Sequence, residues 1–183
     1  MRAIGGSAKG RALKAVPGDS TRPILDRVKV PLFDILRPTI AGIKMLDLFA
    51  GTGSVGIEAL SQGAAYCIFL DTNAKAYKVI QENLITTLLS DKAEVRHTDA
   101  FTYLKNTAKS FDLIFIAPPQ YKGIWIEAMR VIAERPNLLS AAGQIIVQID
   151  PKEYEELHLA SFTESARRKY GSTELLFYTP VTA

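Results

Sequence analysis

Short apolar runs recur along this chain, and most are followed by a stretch with helical spacing. Residues 44–49 read as a strand and 54–62 as the helix behind it. The alternation continues as 66–71 with 74–89, 93–98 with 100–108, 111–116 with 123–134, and 144–149 with 152–158. Near-continuous apolar strands alternating with helices predict an α/β fold, a mostly parallel sheet covered by helices on both faces. Residues 171–178 read as a last strand, antiparallel to its neighbour. Ahead of the sheet, residues 1–16 read as two short strands around a turn-rich Gly5–Gly10 segment, and Pro17-Gly18-Asp19-Ser20 as a second break. Residues 25–36 have helical spacing, with Pro31 expected to kink or divide the helix because it lacks an amide donor. The expected organisation is an extension of hairpin and helix over residues 1–40 and a sheet domain over 41–183.

The first strand runs into Gly51-Thr52-Gly53-Ser54-Val55-Gly56. Gly51 and Gly53 allow a sharp turn and close approach of the backbone to a ligand, and Gly56 allows tight packing of helix on strand. Asp47 sits four residues before Gly51, where a dinucleotide-binding fold places an apolar residue. A carboxylate there suits a ligand with a cationic end, such as the amino acid portion of S-adenosylmethionine. Asp71, 20 residues after Gly51, ends the second strand and fits a ribose-binding carboxylate. Asp99 ends the third strand and, with the Ala100 backbone, is placed to bind adenine. In an open parallel sheet the ligand crevice lies beyond the carboxyl ends of the strands, so acids placed there converge. Any one of them also suits a helix N-cap, and it is their recurrence that points to a site.

The fourth strand delivers Ala117-Pro118-Pro119-Gln120-Tyr121 to the same edge. Paired prolines hold an extended turn and leave carbonyls without local amide partners. Methylation of an exocyclic amine needs such acceptors, because the nitrogen lone pair is delocalised into the base and must be drawn toward the methyl donor. Pro118, Pro119, Gln120 and Tyr121 are therefore the candidate catalytic residues, with Tyr121, Phe101 or Trp125 as stacking platforms for the base.

At 183 residues and 48% apolar, the chain suffices for one sizeable core. The single cysteine, Cys67, excludes an internal disulfide framework, and the two histidines, His97 and His158, give no metal-ligand spacing. No run approaches the roughly 20 apolar residues of a spanning helix, so a soluble intracellular protein is expected; a cytoplasmic monomer is the expected form. The net charge of +3 is unevenly placed: residues 1–37 carry eight basic groups against three acidic ones, +5, leaving −2 for the rest. That asymmetry is the footprint of a protein that meets phosphate backbones, with Arg2, Lys9, Arg11, Arg22 and Arg27 as the candidate RNA contacts.

Met1-Arg2-Ala3-Ile4-Gly5-Gly6-Ser7-Ala8-Lys9-Gly10-Arg11, Thr21-Arg22-Pro23, Asp26-Arg27-Val28, Leu46-Asp47-Leu48-Phe49-Ala50-Gly51-Thr52-Gly53 and Lys169-Tyr170-Gly171-Ser172-Thr173 follow one another along the chain. Together they resemble the bacterial enzymes that methylate guanine N2 in 16S rRNA. The resemblance implies a Rossmann-like class I methyltransferase fold with a seven-stranded sheet and S-adenosylmethionine as cofactor. It also implies a small-subunit assembly particle as partner, with an N-terminal β-hairpin and helix that engage RNA. The family's Asp-Pro-Pro-Tyr is departed from: Ala117 replaces the acid and Gln120 displaces the aromatic. The Pro118 carbonyl and the Gln120 amide oxygen are then the remaining acceptors for the guanine amine. Pro31 is a second departure, in a helix the family keeps regular. An adenine-N6 methyltransferase would share the cofactor site, and a non-catalytic RNA-binding assembly factor would be consistent with Ala117. A nicotinamide dehydrogenase would need an apolar residue at position 47 and a hydride-transfer acid.

Overall fold

The computed structural model describes residues 1–18 and 22–181; Asp19, Ser20 and Thr21, which belong to the second break and to the Thr21-Arg22-Pro23 motif, lie outside it. Helix α1 (Asp26–Leu36) precedes the sheet. Then follow β1 (Lys44–Asp47), α2 (Ser54–Ser61), β2 (Tyr66–Asp71), α3 (Ala74–Thr86), β3 (Ala93–His97), α4 (Ala100–Asn106), β4 (Phe111–Ile116), α5 (Ile124–Glu134), β5 (Leu139–Ile149), β6 (Phe162–Tyr170) and β7 (Thr173–Pro180). They build one seven-stranded sheet in the order β3-β2-β1-β4-β5-β7-β6, with β7 antiparallel to both of its neighbours. The strand order reverses between β1 and β4, and a crevice opens at such a switch point beyond the carboxyl ends of the strands.

Two apolar layers sandwich the sheet. On one face α1, α2 and α3 contribute Leu32, Phe33, Ile57, Leu60 and Ile80 against Met45, Phe69 and Phe115. On the other, α4 and α5 contribute Leu104, Trp125, Met129 and Ile132 against Leu46, Ile68 and Ile114. Gly56 sets how closely α2 lies on β2: a Cβ there would come within 2.3 Å of the Phe69 ring and 2.8 Å of the Cys67 sulfur.

Three expectations are corrected, and one strand escapes the sequence pattern. Residues 152–158 do not form a helix; only a 3-10 turn, Pro151–Glu153, follows β5. Beyond it Leu157 and Leu159 pack against the second core layer without regular structure. β6 leaves no mark in the periodicity, because Thr163-Glu164-Ser165 and Arg167-Arg168-Lys169 are exposed on an edge strand, where charge also blocks pairing with another chain. Pro31 neither breaks nor divides α1, which is one continuous helix from Asp26 to Leu36. Val28, Leu32, Phe33 and Leu36 bury one stripe on the core, and that packing holds the helix across the missing hydrogen bond. Finally, residues 1–16 form no pair of strands but a single bridge, Arg2 with Ala12, around a 3-10 turn at Gly6–Ala8.

Candidate active site at the carboxyl edge of the sheet

β1 ends at Asp47 and the chain turns into α2 through Gly51 (φ +58°) and Gly53 (φ +80°), both in the left-handed region that favours glycine. Asp71, at the end of the neighbouring β2, holds this loop. Its Oδ2 accepts from the Gly51 amide at 2.9 Å and its Oδ1 from the Asn73 amide at 2.9 Å. Asp47 is only 2% exposed, and its Oδ1 finds no hydrogen-bond partner among the described residues. Burial, then the negative charge of Asp71, push its carboxyl up to about 8 against one hydrogen bond from the Phe49 backbone. A buried carboxyl whose Oδ1 is unmatched among the described residues is suited to a cation or a donor from a ligand.

Asp99 is exposed and caps α4, its Oδ2 accepting from the Thr102 amide at 2.9 Å and from the Thr102 hydroxyl at 3.2 Å. Ala100, beside it, is buried. The carboxyl ends of β1, β2 and β3 thus bring Asp47, Asp71, the glycine loop and Asp99 to one edge of the sheet.

β4 carries Pro118, Pro119, Gln120 and Tyr121 to the same edge. Among the described residues no hydrogen bond reaches the Pro118 or Pro119 carbonyl. Gln120 and Tyr121 are exposed, and Tyr121 adopts a left-handed φ of +63°. Its amide donates to Glu153 Oε1 at 2.6 Å and its hydroxyl donates to Asp150. That acceptance holds the Asp150 carboxyl below its usual range and raises the Tyr121 phenol. Nothing in the sequence pattern signalled this latch, because Asp150 and Glu153 meet Tyr121 only through the pairing of β4 with β5. Trp125 is corrected as a stacking platform: it is 1% exposed inside the second core layer. Phe101 is partly buried against that layer.

The basic N-terminal residues divide between two places. Residues 3–8 run along α2 to its C-terminal end, where Ser61 Oγ donates to the Gly5 carbonyl at 2.6 Å and accepts from the Ala8 amide at 2.9 Å. This end of α2 leads into the start of β2, at the edge of the sheet opposite the crevice. Lys9 belongs to this turn, Arg2 donates to the Gly10 carbonyl, and Arg11 donates to Thr86 at the far end of α3. Lys29, counted with the basic groups, is buried instead, 3.0 Å from Glu58 Oε1, and donates to Ser54 Oγ. Glu58 also accepts from the Ile4 and Gly5 amides and from Gln62, which joins the N-terminal segment to α2. Arg22 and Arg27 are exposed.

The sheet order and the acid-bearing crevice define a Rossmann-like class I methyltransferase fold. The chain belongs to the family described as Conserved hypothetical protein 95, whose profile matches residues 1–179, and with it to the group of small-subunit rRNA methyltransferase D proteins. It is similar to ribosomal RNA small subunit methyltransferase D of Haemophilus influenzae, 35% identical over 146 residues, covering 76% of each chain. The Escherichia coli protein of the same name is 32% identical over 142 residues, covering 78% of this chain and 71% of that one. Among solved structures, a hypothetical protein of a Thermus species shares 29% identity with a TM-score of 0.80, covering 99% of both chains.

Proposed function

We propose that this chain transfers a methyl group from S-adenosylmethionine to the N2 amine of a guanine in 16S rRNA, the guanine-966 type of modification. The reading includes a monomer working in the cytoplasm on a small-subunit assembly particle. The observation that carries the cofactor is Asp47 Oδ1, a buried carboxylate oxygen without a partner among the described residues, beside a loop whose left-handed Gly51 and Gly53 keep the backbone open. These residues fit the group. Asp47 would hold its cationic amino acid end, Asp71 its ribose, and Asp99 with the Ala100 backbone its adenine. When bound, the cofactor supplies a methyl group on an electrophilic sulfonium. The names of the curated relatives, small-subunit rRNA methyltransferases, support the substrate class.

The chain's own part is acceptance and alignment. The Pro118 carbonyl, which accepts from no described residue, takes a hydrogen bond from the guanine amine and draws the nitrogen lone pair out of the ring. Gln120 offers a second acceptor in place of the acid that Ala117 lacks. The proton lost after transfer goes to water, and alignment supplies most of the acceleration. Tyr121, released from Asp150, is the exposed aromatic nearest this loop in sequence.

The test is methyl transfer onto purified small-subunit particles followed by mapping of the modified nucleotide. One guanine modified at N2 is expected. An N6-methyladenine product would replace the reading with the adenine enzyme, and RNA binding without transfer would replace it with an assembly factor.

A further inference from the structure

The basic residues of this protein fall into two sets. One set is engaged within the fold: Lys14 with Glu82, Lys29 with Glu58, Arg37 with Asp34, Arg96 and Lys109 with Glu94, and Arg167 with Glu174. The other set makes no ion pair among the described residues and includes Arg22, Arg27, Lys152, Arg168 and Lys169, all of them exposed.

Topology puts Arg27, Lys152, Arg168 and Lys169 on one rim, and Arg22 lies four residues before the start of α1. β5 and β6 are each antiparallel to β7, so they run in the same direction, and Arg168 and Lys169 stand at the same edge as the carboxyl ends of β1, β4 and β5. Lys152 lies in the turn directly after β5. The β6–β7 turn at Gly171 meets α1 there: a Cβ on Gly171 would sit 3.3 Å from the Arg27 guanidinium. Lys152 and Lys169 both act electrostatically on Asp150, and Arg22 acts on Tyr121, so the rim borders the latch of the Pro-Pro loop. Asp150 and Glu153, the two carboxylates of that latch, are both engaged by Tyr121.

We infer that this rim of Arg22, Arg27, Lys152, Arg168 and Lys169 is the surface that holds the phosphodiester backbone of the RNA substrate, while the N-terminal turn bearing Arg2, Lys9 and Arg11 is a structural clasp. The inference rests on the RNA reading above and deepens it. Exposed cations without a carboxylate partner keep donors for phosphate, and cations on the catalytic edge fix the register of the target base. Arg168 gives one donor to the adjacent Arg167 carbonyl and keeps the rest of its fork. Lys9 lies in the turn at the opposite end of α2, and Arg2 and Arg11 already donate to carbonyls of the protein itself.

The experiment compares three full-length proteins: the parent, a rim variant (Lys152→Gln, Arg168→Gln, Lys169→Gln) and a clasp variant (Arg2→Gln, Lys9→Gln, Arg11→Gln). Binding to deproteinised 16S rRNA is measured across a salt series, with S-adenosylmethionine affinity and thermal unfolding as checks on folding. The rim variant should bind RNA more than tenfold more weakly. Its logarithmic salt slope should drop by about 2 to 3, at roughly 0.7–0.9 per lost phosphate contact. Its cofactor affinity should match the parent's, and the clasp variant should keep the parent's slope. A rim variant with the parent's slope, or a clasp variant that loses the slope instead, overturns the assignment alone. A parent that binds the RNA with no salt-dependent component overturns the RNA reading and the rim with it. If the triple rim variant does not fold, the pair Arg22→Gln, Arg27→Gln carries the same test from the α1 side, with an expected slope change of about 1.4 to 1.8.

Discussion

Glu58→Ala should destabilise the protein by about 3–5 kcal/mol, the scale for breaking a buried ion pair by removing one partner. The Glu58 carboxylate is fully buried and accepts from the Ile4 amide at 2.8 Å, the Gly5 amide at 2.9 Å and Gln62 at 2.8 Å, with Lys29 Nζ 3.0 Å away. Its removal strands two backbone donors and leaves the Lys29 ammonium, 1% exposed, with Ser54 Oγ at 2.9 Å and the Arg2 carbonyl at 3.3 Å as its remaining acceptors among the described residues. Against a total stability of about 5–15 kcal/mol for a domain, such a loss brings the protein close to its threshold. Urea unfolding followed by circular dichroism measures it through the midpoint at constant m. A cycle with Lys29→Met should show a coupling of about 0.5–3 kcal/mol between the two residues. Burial disfavours the Glu58 carboxylate, but the bonds from Gln62 and Ile4, the charge of Lys29 and the bond from Gly5 outweigh it and hold its pKa below the usual range. The contribution is therefore present above the unfolded carboxylate pKa and is lost as pH falls through the lower folded value. A Glu58→Ala loss below about 1 kcal/mol, or strict additivity with Lys29→Met, would refute the clasp.

Asp47 works in the opposite sense. With a folded value of about 8 against 3.8, its contribution is complete below pH 3.8 and declines as pH rises through about 8, so thermal scans of the ligand-free protein should show Asp47→Asn gaining on the parent across that window. Binding of the cofactor's cationic end at Asp47 should release a proton near neutral pH, visible as a buffer-dependent enthalpy in calorimetry; a buffer-independent enthalpy removes Asp47 from the site. Asp71→Ala, which frees the Gly51 and Asn73 amides, should weaken S-adenosylmethionine by roughly 1–3 kcal/mol in the same instrument, and equal affinities would exclude Asp71. Gly56→Ala places a Cβ 2.3 Å from the Phe69 ring and should lose about 1–3 kcal/mol in denaturant unfolding. An unchanged midpoint would mean that α2 shifts freely.

The sequence alone determined what depends on neighbours along the chain. The apolar runs located β1, β2 and β4 to within two residues, because a strand buried on both faces leaves a continuous signal, and the alternation placed the more exposed edge strand β3 between its helices. Gly51, Gly53 and Gly56 announced the loop, since positive φ and close packing restrict the residue type. Asp47, Asp71 and Asp99 could be placed at one edge from the alternation alone, because parallel strands share a direction. Tertiary structure decided whatever depends on partners distant in sequence. β6 exists because β7 pairs with it, although its own residues are polar and mostly exposed. Lys29, counted among the basic groups of the N-terminal residues, and Glu58, 29 positions away, are a buried pair only because α1 packs on α2 and the N-terminal segment closes over both. The basic residues could be counted but not located. Whether a cation faces a carboxylate, a carbonyl or solvent is fixed by the chain that folds against it, and that separates the clasp at Arg2 and Arg11 from the rim at Arg27 and Lys169.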